Sequence, residues 1–343
     1  MQPSKTSSKA SLADRWLTRS PRLWGLLVPA LLFVCLAALR RGLYRLGLLR
    51  STRLPVPVVV VGNITAGGAG KTPVVLFLAQ QLAALGRRPG IVSRGYGGAG
   101  IVAEVRADSD PRQVGDEPLL LKRRSACPVF IGRRRAEAAQ ALLAAYPDCD
   151  LILCDDGLQH LALARDVEIA VLDRRGLMNG WPLPAGPLRE PASRLRTVDA
   201  VVLNGLDQPP AITSPTFRMG LEGSRFYRLD RPEESCDAAT LVAQIAAGAR
   251  FHALAGIGEP RRFFDHLSGL GLRFEAHAFP DHHAYRVEDL ALTGDALLTT
   301  EKDAVKFAAL APRLPVWVLP VEARIAPDLA RFVLEKLDGS PSA

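Results

Sequence analysis

The segment TAGGAGKTP, which begins at Thr65, carries residue types that bind phosphate. The phosphate-binding loop follows G-x-x-x-x-G-K-[ST], and Gly70, Lys71 and Thr72 match this pattern, whereas Thr65 stands at the position of its first glycine. In such a loop, backbone N–H groups hold phosphate oxygens, the lysine reaches the terminal phosphates and the hydroxyl binds Mg²⁺. A valine-rich run at 56–61 precedes the loop and a predicted helix follows it, which favours a nucleotide site over a flexible glycine turn. The predicted phosphate contacts are Thr65, Ala66, Gly67, Gly68, Ala69, Gly70, Lys71 and Thr72.

Two adjacent carboxylates follow the apolar run LILC and predict a metal site. Asp155 and Asp156 alone would be typical turn residues at the end of a strand. In a fold with a phosphate-binding loop, however, an acid at this position holds Mg²⁺, directly or through water. The predicted metal ligands are therefore Thr72, Asp155 and Asp156.

Further polar side chains are concentrated in four segments beside predicted strands and helices: SRGYGG, GDEP, LPAGPLRE and FPDHHAY. Loops of this kind often carry function, although a surface turn, a helix N-cap and a structural crossover explain the first three equally well. In the fourth, a histidine facing a cleft could tune a carboxylate base. The five cysteines form no C-x-x-C pair, so neither a disulfide framework nor a zinc site is predicted.

The elements that must position these side chains alternate between short β-branched runs and alanine- and leucine-rich stretches. This alternation predicts an α/β fold, with a mostly parallel sheet covered by helices on both faces. The proline-rich segment DQPPAITSPT, near residue 207, indicates a boundary. We therefore predict an N-terminal membrane anchor and basic amphipathic segment (1–52), a P-loop core (53–206) and a second, smaller α/β domain that ends in a helix (207–343).

The uncharged run Leu23–Leu39 predicts a retained membrane helix. A buried or interfacial helix kinked at Pro29 is the alternative, and a cleaved signal peptide fits the flanking residues poorly. The following segment, RRGLYRLGLLRSTR, predicts a helix on an anionic membrane surface rather than an ordinary solvated helix. Positive charge on both sides of the apolar run leaves its orientation open. The net charge of +8 suits a nucleic acid, an anionic membrane or an anionic substrate equally.

Eight segments in one order resemble the tetraacyldisaccharide 4′-kinase family, the lipid A 4′-kinases, over nearly the whole chain: GNITAGGAGKTP, SRGYGG, GDEP, DDGLQH, RDVEIAVLD, LPAGPLRE, FPDHHAY and TTEKD. T-x-G-G-x-G-K-T is that family's own version of the loop, which accounts for Thr65. The resemblance implies a P-loop NTPase-type fold with an N-terminal membrane helix. It also implies transfer of the γ-phosphate of ATP, with Mg²⁺, to the 4′-hydroxyl of a tetraacyldisaccharide 1-phosphate, which makes a lipid A precursor.

The resemblance also implies the roles of individual residues. Asp116 corresponds to the family's catalytic base, and His282 to its assisting histidine, because His283 occupies a variable position. The implied substrate or phosphate contacts are Tyr96, Glu117, Arg135 and Arg189. The run GRRR leaves open whether Arg133, Arg134 or Arg135 makes this contact.

The resemblance further implies a location and partners. The family acts on the cytoplasmic face of the inner membrane, so we expect the catalytic domains there. The expected partners are the lipid disaccharide 1-phosphate and an anionic membrane surface, with no nucleic acid and no obligate protein partner.

Two other classes of protein remain as alternatives. A membrane-associated P-loop ATPase of the partitioning or metal-insertion type also has a G-G-x-G-K-T loop, but its signature lysine precedes the glycine pair, where this chain has Ala66. A nucleotide-binding scaffold without transfer chemistry would need Lys71 but neither Asp116 nor His282.

Overall fold

The computed structural model describes residues 15–95, 101–206, 210, 212–307 and 310–339. These residues form two sheets, one of nine strands and one of six, with helices packed against them. The predicted α/β class is confirmed, because neighbouring strands in the middle of both sheets run parallel.

The large sheet contains the phosphate-binding loop. Its strands are β1 (Val58–Gly62), β2 (Pro89–Ser93), β3 (Ala103–Glu104), β4 (Val129–Ile131), β5 (Leu151–Asp155), β6 (Val167–Asp173), β7 (Ala200–Asn204), β8 (Thr216–Glu222) and β15 (Glu322–Ala326). Their order is β15-β8-β7-β6-β1-β5-β2-β4-β3, with antiparallel pairing only at the two edges. The carboxyl ends of the seven strands from β8 to β4 therefore lie along one edge of the sheet, where open α/β folds bind ligands.

The small sheet is built from the chain between β8 and β15. Its strands are β9 (Arg225–Arg228), β10 (Ser235–Asp237), β11 (Phe251–Ala255), β12 (Glu275–Ala278), β13 (Ala296–Thr300) and β14 (Val316–Leu319). Their order is β10-β9-β14-β13-β11-β12, in which β12 is an edge strand.

Helices cover both faces of the large sheet. The helices of the described chain are α1 (Leu27–Arg45), α2 (Lys71–Ala84), α3 (Pro111–Val114), α4 (Asp116–Arg124), α5 (Arg135–Ala145), α6 (Ala238–Ala246), α7 (Pro260–Gly269), α8 (Glu301–Phe307) and α9 (Leu329–Asp338). Successive side chains of a strand point to opposite faces. Val59 and Val61 of β1 accordingly pack in the core beneath α2, and Val58 and Val60 in the core beneath α5.

The sheets do not divide the chain at residue 206. Strands β8 and β15 both lie beyond that position, yet they belong to the large sheet. Helix α9 also joins the core of that sheet, through Leu329, Ala330 and Val333. The proline-rich segment therefore follows β7 but does not separate the residues of one sheet from those of the other.

The N-terminal apolar segment is helical and continues further than expected. A 3-10 turn at Pro21–Leu26 runs into α1, and by length and composition Pro21–Arg45 could cross a membrane. Only 11% of its most apolar stretch is buried, so most of that surface faces away from the rest of the chain. The helix does not end at Leu39, and the basic segment predicted to form a helix is helical only over its first six residues, as the continuation of α1. Helix α1 runs to Arg45 and ends in a turn with Gly47 at φ 72°, where a left-handed residue terminates a helix.

Candidate active site

The loop between β1 and α2 has the backbone of a phosphate-binding turn. Gly67 and Gly70 adopt φ values of 98° and 88°, which glycine reaches without steric cost. A Cβ at Gly70 would lie 2.4 Å from Nδ2 of Asn204, so the loop also needs glycine there for space. Gly70 directly precedes Lys71, the first residue of α2, and the N–H groups at a helix start bind anions.

The first two residues of the predicted loop have a structural role instead of a place in the phosphate-binding bend. Thr65 is buried and forms an antiparallel bridge with Leu188. The N–H of Ala66 donates to the Pro187 carbonyl at 2.8 Å, so it is directed toward the LPAGPLRE segment. These residues anchor the start of the loop, whereas the glycines that follow form its bend.

The two predicted metal carboxylates lie beside this loop. Asp155 ends β5, which pairs directly with β1, and Asp156 follows with φ 50°. Lys71 Nζ lies 3.5 Å from Asp156 Oδ1, and Nη1 of Arg189 donates to both Asp156 oxygens at 3.3 and 3.4 Å. Burial alone would raise the pKa of Asp156, but the charges of Lys71 and Arg189 outweigh it and the pKa is lowered.

Asp155 is a carboxylate with unmet bonding capacity. Its Oδ2 accepts from Ser93 Oγ at 3.1 Å, whereas its Oδ1 is buried without a hydrogen-bond partner. Burial, together with the negative charges of Glu117 and Asp156, raises the pKa of Asp155 to about 7. A divalent cation would supply the missing partner of Oδ1 and offset this repulsion. Thr72 and the two aspartates offer oxygen ligands, which Mg²⁺ prefers, so the residues fit this ion.

Asp116 and His282 are brought together from the two sheets. Asp116 is the first residue of α4, after Gly115 at φ 91°, and His282 lies in the loop after β12 at φ 59°. His282 Nδ1 lies 3.0 Å from each Asp116 oxygen. His283 points elsewhere, with Nε2 at 3.0 Å from Asp289. The structure thus brings His282 rather than His283 to Asp116.

This contact shifts both pKa values. Burial alone would raise the pKa of Asp116, but the His282 hydrogen bond and the charges of Lys302 and Lys306 lower it to about 2. The hydrogen bond to Asp116 raises the pKa of His282. Nδ1–H of His282 therefore donates to an ionised Asp116 carboxylate, which can accept a proton from a substrate hydroxyl.

A lysine that sequence reasoning gave no role completes this cluster. Lys302, from the TTEKD segment, places Nζ at 2.9 Å from Glu117 and 3.1 Å from Asp281. The same atom lies 3.4 Å from His282 Nε2. Burial opposes its charge, but the surrounding carboxylates raise the pKa of Lys302, so it remains an ammonium ion. The sequence did contain a signal for Lys302, since TTEKD is one of the eight ordered segments. The contacts of this lysine, however, are seen only in the fold.

Residues of both clusters line one cavity of about 710 Å³, whereas Thr72 and Lys302 line an adjoining cavity of about 450 Å³. The predicted residues on its wall are Gly67, Gly68, Lys71, Asp116, Glu117, Asp155, Asp156, Arg189 and His282. The cavity also has residues to which the sequence gave no role in the site: Phe33, Leu36, Ala37, Arg40, Arg41, Ser93, Arg94, Gln159, Glu190 and Asp281. The first five belong to α1, so the apolar helix forms part of the wall.

Two predicted substrate contacts do not appear on this wall. Tyr96 lies outside the described residues. Arg135 begins α5 and is buried, with its Nη1 donating to the Gly132 carbonyl at 3.0 Å, so its side chain turns inward beneath its own helix start. Its neighbour Arg134 is exposed and pairs with Glu137 at 2.8 Å. Arg135 does not line the cavity.

Comparisons with known proteins agree on one family. The family described as tetraacyldisaccharide-1-P 4′-kinase matches residues 22–338. The chain belongs to the tetraacyldisaccharide 4′-kinase family. It is therefore an enzyme, a kinase of lipid A synthesis, and the family indicated by the ordered motifs is confirmed.

Individual relatives span nearly the same length. The tetraacyldisaccharide 4′-kinase of Dechloromonas aromatica is 53% identical, over 95% of this chain and 98% of its own. That of Aromatoleum aromaticum is 52% identical, over 96% and 98%. A solved structure described as the "apo" form of LpxK from Aquifex aeolicus in complex with ATP is 29% identical, with a TM-score of 0.77 over 92% of this chain and 99% of that one.

Proposed function

We propose that the protein transfers the γ-phosphate of ATP to the 4′-hydroxyl of a tetraacyldisaccharide 1-phosphate at the cytoplasmic face of the inner membrane. The observation that carries this proposal is that these groups of residues share one cavity. It contains Lys71 and the Asp155–Asp156 pair at one side, the Asp116–His282 pair at another, and the apolar helix α1 as part of its wall. Family membership and the ATP-bound structural relative support the same reaction.

The phosphate side of the cavity fits a nucleoside triphosphate. The glycine turn, the start of α2 and Lys71 offer N–H groups and a positive charge to the phosphate oxygens. Thr72, Asp155 and Asp156 would hold Mg²⁺, which when bound neutralises charge on the transferring phosphate. Arg189 adds a second cation on the cavity wall. Phosphoryl transfer depends mainly on such positioning and charge neutralisation.

Asp116 fits the role of the base for the sugar hydroxyl. The 4′-oxygen attacks the γ-phosphorus, its proton passes to the Asp116 carboxylate, and ADP leaves with the electrons of the broken P–O bond. A carboxylate with a pKa of about 2 is a weak base. It is sufficient if the hydroxyl proton leaves late, as the loose transition state of phosphoryl transfer allows. His282 and Lys306 hold the carboxylate ionised and oriented.

Helix α1 suits an acceptor with acyl chains. Phe33, Leu36 and Ala37 give the cavity an apolar wall, and Arg40 and Arg41 follow one turn later. Arg41 is held by Glu190 at 2.5 Å, which fixes its position on the wall. Apolar side chains beside arginines match a lipid with an anionic head group. Because ATP is cytosolic, this arrangement implies that the cavity faces the cytoplasm.

A transfer assay tests the proposal. The detergent-solubilised protein is incubated with γ-labelled ATP, Mg²⁺ and the disaccharide 1-phosphate lipid, and labelled lipid is separated from free phosphate. We expect label in the lipid at the 4′-position, with little phosphate released when lipid is present. Steady phosphate release without labelled lipid would instead favour an ATPase. Nucleotide binding with neither product would favour a scaffold.

A further inference from the structure

Two histidines and a glutamate meet on one face of the small sheet, outside the cavity. His252 lies on β11, and Glu275 and His277 lie on the edge strand β12, two positions apart. His252 is the register partner of Glu275, so all three side chains project to the same face. Each offers one ligand atom, and these atoms lie within 4.8 Å of one another.

The distances among the three residues fit one metal ion. His252 Nδ1 lies 3.1 Å from His277 Nε2 and 3.5 Å from Glu275 Oε2, and His277 Nε2 lies 3.9 Å from Glu275 Oε1. Two ligands that each lie about 2.1 Å from a tetrahedral zinc ion are about 3.4 Å apart. Small side-chain shifts would therefore bring all three into the coordination shell.

The surroundings of His252 orient its ring for this role. Its Nε2 lies 3.2 Å from the Thr293 carbonyl, so Nε2–H donates there and Nδ1 keeps its lone pair. A metal-binding histidine commonly donates its other ring N–H to a backbone carbonyl in this way. The Thr293 loop approaches closely because of Gly294, where a Cβ would lie 2.9 Å from His252 Nε2.

We propose that His252, Glu275 and His277 bind a divalent transition-metal ion of the zinc class. Two imidazoles and one carboxylate are a zinc donor set that leaves a position for water. The Glu275 side chain is 69% exposed, so an ion can enter from solvent, whereas His252 is buried and fixed. The cysteine pattern predicts no zinc site and gives no sign of these ligands, which come from two strands that pair only in the fold.

The position of this site suggests what the ion would do. It would join β12 to β11 by side chains in addition to their backbone hydrogen bonds. Strand β12 ends at Ala278, shortly before Asp281 and His282 of the cavity. A bound ion would therefore stabilise the strand that leads into the Asp116–His282 contact.

Cobalt titration tests the site directly. The full-length protein in detergent is freed of metal with a chelator and kept in millimolar Mg²⁺, which prefers oxygen ligands. Co²⁺ is then added and followed by its visible d–d absorption, with Zn²⁺ as competitor. We expect the protein to bind one equivalent of Co²⁺, with absorption bands typical of a low coordination number. Added Zn²⁺ should displace the Co²⁺ and remove these bands.

Matched variants locate the binding. His277→Asn and Glu275→Gln should each weaken Co²⁺ binding at least about 10-fold, the smallest effect seen when even an outer partner of a metal ligand is lost. His266→Asn removes a histidine that contacts the Gly223 carbonyl and should keep wild-type affinity. The exposed Glu275→Gln change decides the result if His277→Asn fails to fold. Wild-type protein without bands, or bands that persist in both cluster variants, would overturn the proposal.

Hydrogen exchange gives an independent location. Zn²⁺ should slow amide exchange in β11 and β12 of the wild type, and Glu275→Gln should reduce this protection. Protection confined to the phosphate-binding loop, with β12 unchanged, would contradict the proposed site.

Discussion

The two ends of the cavity are built in different ways. The phosphate end consists of the glycine turn with Lys71 and Thr72, together with Asp155 and Asp156. It comes from β1, α2 and β5, where β1 and β5 are hydrogen-bonded neighbours in one sheet. The acceptor end consists of Asp116 and Glu117 from α4 and of Asp281 and His282 from the loop after β12. Lys302 of α8 does not line the cavity but contacts Glu117 and Asp281.

This difference shows which part of the site depends on long-range assembly. The phosphate end needs a strand, its turn, the helix that follows and a paired strand. The acceptor end needs the small sheet held against the large one, because the Asp116–His282 contact joins residues 166 positions apart. Changes at the phosphate end should therefore affect nucleotide binding and transfer together, whereas changes at the acceptor end should affect transfer alone.

The largest effect should follow from breaking the phosphate end. Lys71→Ala removes the cation that lies beside Asp156 at the start of α2. We expect transfer to the lipid to fall by roughly 10³-fold, as for loss of one strong transition-state contact, with weaker ATP binding. Steady-state transfer and nucleotide titration measure the two effects. Unchanged ATP affinity would show that Lys71 does not contact bound phosphate.

Two histidine variants test the acceptor end of the cavity. His282→Ala should lower transfer by roughly 10²-fold, the low end of acid–base contributions, because Asp116 loses its hydrogen-bond donor. His283→Ala is the matched control, since that ring contacts Asp289 and stacks on Phe279. Its transfer rate should stay close to wild type. Equal losses in both variants would contradict the separate role of His282.

The phosphate end has local signals in the sequence, and the structure places the predicted Lys71 and Asp156 beside each other. Gly70, Lys71 and Thr72 are consecutive, and the Asp155–Asp156 pair ends a recognisable strand. Asp116 and His282 have no such local signal, and only the resemblance of ordered motifs connected them.

Other features of the structure depend on packing and have no local signal in the sequence. Three consecutive arginines give the sequence no means to tell where the Arg135 side chain points, because its direction depends on how α5 begins on the sheet. Lys302 gains its role only when α8 meets α4. The apolar run predicted a membrane helix but not that one of its faces would line the cavity. Strands β8 and β15 belong to the large sheet because they pair with each other and β8 pairs with β7, and the pattern of residues within a strand does not predict its partner.

A substitution of Lys302 tests how much its ion pairs stabilise the acceptor end. Lys302→Met leaves the partly exposed Glu117 and Asp281 without their shared cation. We expect a loss of about 2 kcal/mol in the free energy of unfolding, between the values for an exposed pair and for a broken buried pair, and reduced transfer with retained ATP affinity. Lys336→Met is the control, because its ion pair with Asp199 is half exposed and should contribute less than about 1 kcal/mol. Similar losses in both variants, measured by chemical denaturation, would count against the bridging role.

The smallest expected effect is a pH dependence of stability. His282, which faces Asp116, Asp281 and Lys302, has a pKa raised above 6.5 by the Asp116 hydrogen bond. Its charged form therefore stabilises the folded protein fully below that pH, and the contribution is lost as pH rises through the raised pKa. The difference in unfolding midpoint between wild type and His282→Gln should shrink as the pH rises above about 6.5. A difference that grows with pH would contradict the assignment.

The most direct test of the two-ended site is Asp116→Asn, measured for both transfer and nucleotide binding in one preparation. The amide keeps the size of the side chain but cannot accept the hydroxyl proton. We predict that transfer of γ-phosphate to the lipid falls by roughly 10²- to 10⁴-fold while the affinity for ATP stays at the wild-type value. Wild-type transfer, or a parallel loss of ATP affinity, would contradict the account.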